Sequence, residues 1–134
     1  MNEMWLAAAL GAGSGLALLA LFARGGTKLL VESGYIALVA MLAVYVGAKL
    51  VTGSLAEIVI EAAIFTAVAG TARLAIDRWQ PAIGLFILGH GAYDAIVGPH
   101  TGVATWYPPL CAGFDFIVGA GLLVILLKNQ PIRD

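Results

Sequence analysis

The sequence predicts an all-α integral membrane protein, a single domain over residues 1–134 with five transmembrane helices. Hydrophobic residues make up 61% of the chain and charged residues only 11%, whereas soluble domains are about half apolar and about one quarter charged. Apolar runs of about 20 residues, the length of a membrane-spanning helix, nearly exhaust the chain. The net charge of −1, without any basic stripe, excludes nucleic acid as a partner. The one cysteine, Cys111, excludes an internal disulfide.

The first two predicted spans cover residues 4–23 and 29–51. The first carries Gly11 and Gly15 in a GxxxG pattern, which lets another helix approach closely in a membrane. No basic residue precedes this span, so we expect it to belong to the mature fold rather than to a cleaved secretion signal. The second span is a long apolar run that ends shortly after Lys49.

The remaining three predicted spans cover residues 55–76, 81–97 and 108–127. The fourth and fifth begin with Pro81 and Pro108, which suit the first turn of a helix because N–H groups there have no intrahelical partner. The third has a face of small residues that predicts close contact with another helix, formed by Ala63, Thr66, Ala67 and Gly70.

The cations favour one orientation of these spans. Only Lys49 falls on one side of a five-span topology, and the other lysines and arginines fall on the opposite side, namely Arg24, Lys28, Arg73, Arg78, Lys128 and Arg133. Because positive residues concentrate in cytoplasmic loops, we expect the N-terminus outside, the C-terminus in the cytoplasm and the chain in the inner (plasma) membrane of the cell. Aromatic residues fit an interfacial belt, with Trp79 on the inner side and three on the outer side, Trp5, Trp106 and Tyr107.

Two ion pairs near the ends of the spans are predicted to be structural. Glu32 and Arg73 fall at matching depths near the cytoplasmic ends of the second and third spans. Lys49 and Glu57 match in the same way near the outer surface. Because an unpaired charge at membrane depth is costly, we expect both pairs to form.

A deeper group of ionisable residues predicts a functional site. His90 and Asp94 stand four residues apart, so they share one face of the fourth span. Counted at about 1.5 Å per residue, Glu61, His90 and Asp115 fall at one level, roughly 10 Å below the outer surface. Three helices therefore bring polar groups to one depth, and Asp94 and Glu57 lie about one turn above it.

This deep group holds three acids but one base, His90. Isolated ionised carboxylates are prohibitive in an apolar setting. One of three conditions must therefore hold: some of the acids are protonated, or a cation lies among them, or a water-filled pocket opens to the outside. The flanking Gly89 and Gly91 either leave room for a ligand or let the helices pack closely. A structural alternative stays open, in which protonated acids only hydrogen-bond between helices and specify the fold.

The first functional hypothesis is an enzyme that acts on an apolar small molecule in an outward-opening polar pocket. His90 is the expected general acid or base, oriented by Asp94 or Glu61, with Asp115 as the second acid–base group. Isomerisation, epoxide opening and cyclisation need no catalytic groups beyond this histidine and these acids. Five further residues are predicted to contact the ligand, with His100 acting from a loop as a lid: Glu57, Tyr93, His100, Trp106 and Tyr107.

A metal-assisted version of this hypothesis uses the same side chains. Imidazole and carboxylate suit zinc, iron or manganese, and the candidate ligands are His90, Asp94, His100 and Asp115. The cofactor prediction is therefore either none or one divalent metal ion. The expected partners are membrane lipids and the apolar ligand, and a homodimer remains an open alternative.

Two other functions stay open. A proton- or cation-coupled transporter or channel subunit would use the intramembrane carboxylates as relay groups. The crowding of polar groups in one half of the bilayer argues against it, as does a number of spans that does not divide into paired repeats. The other is a structural or accessory membrane subunit, which the sequence does not exclude.

The segment from His90 to Gly119 contains the motifs HGAYD, WYPP and FD. With these motifs it resembles a family of uncharacterised small bacterial multi-span membrane proteins, which implies a membrane fold and a bacterial origin but no activity. A looser likeness is to emopamil-binding membrane proteins of the sterol-isomerase type, which have five spans and a helix with a histidine and an acid four residues later. Asp94 stands where that family has glutamate, and the order of the other acids differs. The likeness therefore implies only that His90 and Asp94 face an apolar pocket.

Overall fold

A computed structural model describes residues 2–129, which form five α-helices and no strand. The helices are α1 (Glu3–Phe22), α2 (Thr27–Thr52), α3 (Leu55–Arg78), α4 (Ala82–Ile96) and α5 (Tyr107–Lys128). Short 3₁₀ turns follow α1 at Ala23–Gly25 and α4 at Gly98–His100. Each helix begins and ends within two residues of its predicted span, so the all-helical prediction is confirmed. Arg133, one of the cations used to predict the orientation, lies outside the described residues.

Four helices, α1, α2, α3 and α5, are long and apolar enough to cross a membrane, which supports a membrane protein. The fourth helix, α4, is apolar but has only 15 residues. At about 1.5 Å per residue it is about 22 Å long, shorter than the hydrocarbon core of a bilayer at about 30 Å. It ends early because Gly98 and Pro99 follow, and proline disfavours helical backbone in the residue before it.

The helix starts follow local capping rules. Pro81 precedes the first residue of α4, and Pro108 lies in the first turn of α5, as predicted. Ser54 and Glu57 form a capping box at the start of α3, in which Glu57 accepts a hydrogen bond of 2.8 Å from the Ser54 N–H.

The helix α5 lies at the centre of the bundle, where it packs along α1 and α4. The helix α2 packs mainly on α3 and also contacts α4 and α5. Every buried residue of α3 lies in its C-terminal half, so this helix is the most peripheral of the five. The largest fully buried apolar side chains come from α2, α4 and α5 and include Leu38, Ile83, Ile87, Val118 and Leu122.

Glycines determine how closely α5 approaches its neighbours. A Cβ atom at Gly11 would overlap the Leu110 carbonyl, and one at Gly15 would lie 3.1 Å from the Phe114 carbonyl oxygen. The prediction that the GxxxG pattern of α1 packs against another helix is therefore confirmed. The same prediction for the small face of α3 is wrong, because that face is exposed along its whole length (Ala63, Thr66, Ala67 and Gly70). The opposite face of α3 turns towards α2 instead.

Both predicted ion pairs are present, and both join α2 to α3. Arg73 lies 3.1 Å from each carboxylate oxygen of Glu32, and it also contacts Asp77 at 3.0 Å. At the other end of these helices, Lys49 lies 2.9 Å from Glu57. The two pairs therefore fasten α3 to α2 near both ends.

Candidate functional site

The centre of the site is a contact between His90 on α4 and Asp115 on α5. The Nδ1 atom of His90 lies 2.7 Å from Oδ2 of Asp115. Gly91, the next residue along α4, makes this distance possible. A Cβ atom at Gly91 would lie 2.8 Å from the Cβ atom of Asp115, which is well inside the van der Waals contact distance of two carbon atoms. Any larger residue at this position would therefore push α5 away.

Asp94 joins a third helix to this contact. It lies one turn after His90 on α4, and its Oδ2 atom is 3.2 Å from the same Nδ1 atom. Its other oxygen, Oδ1, accepts a hydrogen bond from the hydroxyl of Tyr45 on α2. Tyr45, Asp94, His90 and Asp115 therefore form a continuous polar chain across α2, α4 and α5.

The polar chain is sealed from solvent. Asp94 and Asp115 are 0% exposed and His90 is 5% exposed. One nitrogen can donate only one hydrogen, so Nδ1 cannot satisfy both carboxylates. Among residues 2–129, three buried atoms of the cluster have no hydrogen-bond partner: Nε2 of His90, Oδ2 of Asp94 and Oδ1 of Asp115.

A cavity of about 360 Å³ lies beside His90, between α2, α3 and α4. Most of its wall is apolar, and the polar side chains in it are Tyr45, Glu61, His90 and Tyr93. Asp94 and Asp115, which lie against the Nδ1 atom of His90, are not part of the wall. The Nε2 atom of His90 is itself buried and has no hydrogen-bond partner among residues 2–129.

The exposed part of the cavity wall lies on the side of the bundle. It consists of Ile64 on α3 and Leu85 and Gly89 on α4. A Cβ atom at Gly89 would meet nothing within 4 Å. Of the two glycines that flank His90, Gly89 therefore borders open space, whereas Gly91 is a packing glycine.

Glu61 is the second polar group in the cavity and stands apart from the buried chain. It is half-buried and accepts a hydrogen bond of 3.3 Å from the Tyr93 hydroxyl. No lysine, arginine or histidine among residues 2–129 forms an ion pair with it. Glu61, His90 and Asp115 were expected to meet at one level. Of the three, His90 and Asp115 are in contact, whereas Glu61 pairs with Tyr93 instead.

The other residues predicted to contact a ligand are dispersed. Tyr107 contacts the Tyr45 ring, with centroids 6.1 Å apart, and Trp106 is exposed and packs edge-on against Tyr107. Glu57 is engaged by Lys49 and by the start of α3. His100 is exposed and lies outside the cluster of potential metal ligands, which contains His90, Asp94 and Asp115 among the described residues.

Tyr45 is the site residue that sequence reasoning missed. Its ring packs edge-on against Tyr93 at 5.3 Å and lies 6.0 Å from the His90 ring. A signal was present, because Tyr45 is four residues before Lys49 and is the one tyrosine in the C-terminal half of the second span. A hydroxyl at membrane depth calls for a partner, and Asp94 is an acid at a similar depth.

Comparisons with protein-family models, curated proteins and solved structures find no match to this chain. The resemblance to small bacterial membrane proteins and the looser likeness to emopamil-binding proteins therefore stay expectations. What the chain does has to follow from the chemistry of the side chains around His90.

Proposed function

We propose that the chain is a membrane-embedded enzyme that carries out acid–base chemistry on an apolar small molecule. The observation that carries this proposal is the state of His90, a buried imidazole on the wall of an apolar cavity. Its Nδ1 atom is held by Asp115, whereas its Nε2 atom has no partner among residues 2–129. A histidine oriented at one nitrogen and free at the other is the usual arrangement of a general acid or base.

The proposed chemistry follows from the two ring nitrogens. With its hydrogen on Nδ1 directed to Asp115, neutral His90 has a lone pair on Nε2. This lone pair takes a proton from the bound molecule as a C–H bond breaks, and the resulting imidazolium returns a proton to a different carbon. Asp94 and Asp115 stabilise the imidazolium between these steps. Asp115, rather than Asp94 or Glu61, is then the main orienting residue, and Glu61 is the second proton-transfer group or the anchor for a polar end of the substrate.

The substrate enters from the bilayer in this proposal. The exposed wall residues Ile64, Leu85 and Gly89 lie on the side of the bundle, where lipid surrounds a membrane protein. An apolar molecule dissolved in the membrane would reach Nε2 there without crossing water. Isomerisation, epoxide opening and cyclisation are the reaction classes that His90 and the neighbouring acids can support.

The proposal includes the topology predicted from the cations. Five helices cross the plasma membrane with the N-terminus outside and the C-terminus in the cytoplasm. Lys49 lies at one end of the bundle, and the described cations at the other end are Arg24, Lys28, Arg73, Arg78 and Lys128. This segregation supports the orientation through the positive-inside rule. The short helix α4 then begins near the cytoplasmic surface and stops below the outer one.

Deuterium incorporation tests the proposed chemistry even while the substrate is unidentified. Proteoliposomes made with the total lipid extract of the source organism are incubated in D₂O, and the lipids are compared by mass spectrometry. Isomerisation, and cyclisation begun by protonation of a double bond, leave deuterium on carbon in the product, because the proton delivered by Nε2 exchanges with solvent. Epoxide opening adds water and leaves only exchangeable hydroxyl protons, so its product is recognised by the mass of the added water. We expect one labelled or hydrated lipid-soluble species with the wild type and none with His90→Gln. The matched control His100→Gln, which changes an exposed histidine, should still form this species. Absence of any such species with wild-type protein would contradict an acid–base enzyme.

Proton conduction is the second candidate, favoured by the continuous polar chain from Tyr45 to Asp115. A pH-sensitive dye inside the same proteoliposomes separates the two functions. A proton flux that Asp115→Asn abolishes, without deuterium in any lipid, would favour a transporter or channel subunit. A structural subunit would show neither signal.

A further inference from the structure

Charge is unbalanced in the buried cluster of His90, Asp94 and Asp115. Both carboxyl groups are fully buried, and His90 is the one cationic group among residues 2–129 that lies within ion-pair distance of either. With all three groups ionised, the cluster carries one net negative charge, and with neutral His90 it carries two. A low-dielectric interior opposes both states unless a further positive centre is present.

Hydrogen bonding is also incomplete. Asp94 Oδ2 points at Nδ1 of His90 from 3.2 Å but makes no hydrogen bond, and Asp115 Oδ1 is likewise without a partner in the described chain. Native proteins rarely leave buried carboxylate oxygens unpaired, so such atoms indicate a missing partner. The orphaned Asp94 Oδ2 and the Asp115 carboxylate therefore lie against the same nitrogen, Nδ1 of His90.

The donor atoms and their spacing suit a metal ion. Each of the three side chains offers one nitrogen or oxygen, and these atoms lie within 4.8 Å of one another. Zinc binds histidine nitrogen and carboxylate oxygen at about 2.0–2.2 Å, which separates tetrahedral ligands by about 3.4 Å. The His90 Nδ1 distances to Asp115 and Asp94, 2.7 Å and 3.2 Å, need only small shifts to reach that value.

We propose that His90, Asp94 and Asp115 bind one divalent transition-metal ion, with zinc as the reference ion. His90 ligates through Nδ1, and each aspartate ligates through one carboxylate oxygen. The ion balances the two buried carboxylates. Tyr45 holds Asp94 in place through its other oxygen, in the way that outer hydrogen bonds usually orient metal ligands.

The ion would also determine what His90 does in the cavity. Without it, the hydrogen on Nδ1 points to Asp115, and Nε2 is a proton acceptor. With Nδ1 on the metal, the ring hydrogen resides on Nε2, and His90 becomes a hydrogen-bond donor through that atom. The metal site stands independently of the proposed enzymatic function, but a metal-bound His90 could not take up a proton at Nε2 to form the imidazolium proposed above, so it would first have to donate one.

Metal binding is measured on the whole protein in mild detergent. The wild type and three variants, His90→Gln, His100→Gln and Tyr45→Phe, are stripped with a chelator, dialysed and titrated with Co²⁺. Visible cobalt bands report the ligand geometry, and elemental analysis after zinc loading gives the stoichiometry. We expect about one ion per chain in the wild type and in His100→Gln, and at least tenfold weaker binding in His90→Gln. Tyr45→Phe keeps all three ligands and should weaken binding about tenfold, since it removes only an outer hydrogen bond.

The outcomes separate this inference from the proposed function. No ion bound to folded wild-type protein after loading overturns the metal site, and so does equal binding by the wild type and His90→Gln. If His90→Gln fails to fold, Tyr45→Phe and the wild type still decide the question. Deuterium labelling that persists in metal-free wild-type protein would leave the acid–base enzyme intact without a metal. Metal binding without labelling would leave the site intact and contradict the enzyme.

Discussion

At the scale of single residues, the Nδ1 atom of His90 is the point where α4 meets α5, through Asp94 and Asp115. Asp115→Asn replaces the carboxylate that holds this atom with an amide that cannot stabilise an imidazolium. We expect the rate of deuterium incorporation to fall by at least about 100-fold, the usual contribution of positioned acid–base groups. The circular dichroism spectrum should stay helical, because the substitution is nearly isosteric and removes a buried charge. Wild-type labelling by a folded Asp115→Asn protein would show that Asp115 does not orient His90.

Part of this cluster was predictable from residue spacing. His90 and Asp94 lie at i,i+4 on one helix, and a count of depth brought Asp115 to the level of His90. The count could not tell that Glu61 pairs with Tyr93 instead, because depth fixes a position along the membrane normal but not around the bundle. Tyr45 was missed for a different reason, since the count of depth covered ionisable acids and histidine, and an uncharged hydroxyl signals its need for a partner more weakly than a charge does.

At the scale of helices, two glycines on α4 have opposite surroundings and allow a matched experiment. Gly91→Ala places a methyl group 2.8 Å from Asp115 Cβ, whereas Gly89→Ala places one in open space. We expect Gly91→Ala to destabilise the fold by about 1–3 kcal/mol, the usual cost of overpacking, and to weaken catalysis by separating His90 from Asp115. Gly89→Ala should leave stability unchanged or slightly raised. Unfolding in mixed micelles measures both, and equal effects would contradict the close contact of α4 with α5.

The entrance to the cavity makes a second prediction about helices. Gly89→Leu places its Cβ in open space at the rim, and it should reduce deuterium incorporation at least about tenfold by excluding the substrate. Gly70→Leu is the control, because Gly70 on α3 also has nothing within 4 Å of its Cβ position and lies outside the cavity wall. Both proteins should unfold at the same detergent concentration as the wild type. Equal labelling rates in the two variants would exclude an entrance beside Gly89.

At the scale of the whole molecule, the orientation of the chain is open to direct measurement. In a Cys111→Ala background, Thr105→Cys and Asn129→Cys place exposed thiols at opposite ends of the bundle. We expect a membrane-impermeant maleimide to label Thr105→Cys in intact cells and Asn129→Cys only after permeabilisation. The reverse pattern would overturn the orientation inferred from the cations, and labelling of both thiols in intact cells would show that α5, which lies between them, does not cross the membrane.

Helix positions could be read from the sequence to within two residues, but their arrangement could not. A membrane span is defined by an apolar run of a certain length, and its ends are marked by residues such as Pro81 and Ser54. The central place of α5 has no comparable signal, because lipid is as apolar as the protein core and the helix surfaces carry little polar contrast. The exposed small face of α3 illustrates this, since the same pattern that packs in α1 faces outward there.

The attachment of α3 has a mechanical consequence. Ion pairs pin this helix to α2 at its two ends, through Lys49–Glu57 and Glu32–Arg73, while the middle carries Ile64, Phe65 and Val68 over the cavity. Because this middle stretch borders the cavity, we expect α3 to bend outward when a guest larger than about 360 Å³ enters. We expect the close contact of α4 with α5, where Gly84, Gly91 and Gly119 leave no room for a side chain, to give way less. The cavity would then have one compliant wall and one rigid wall, with His90 on the rigid one.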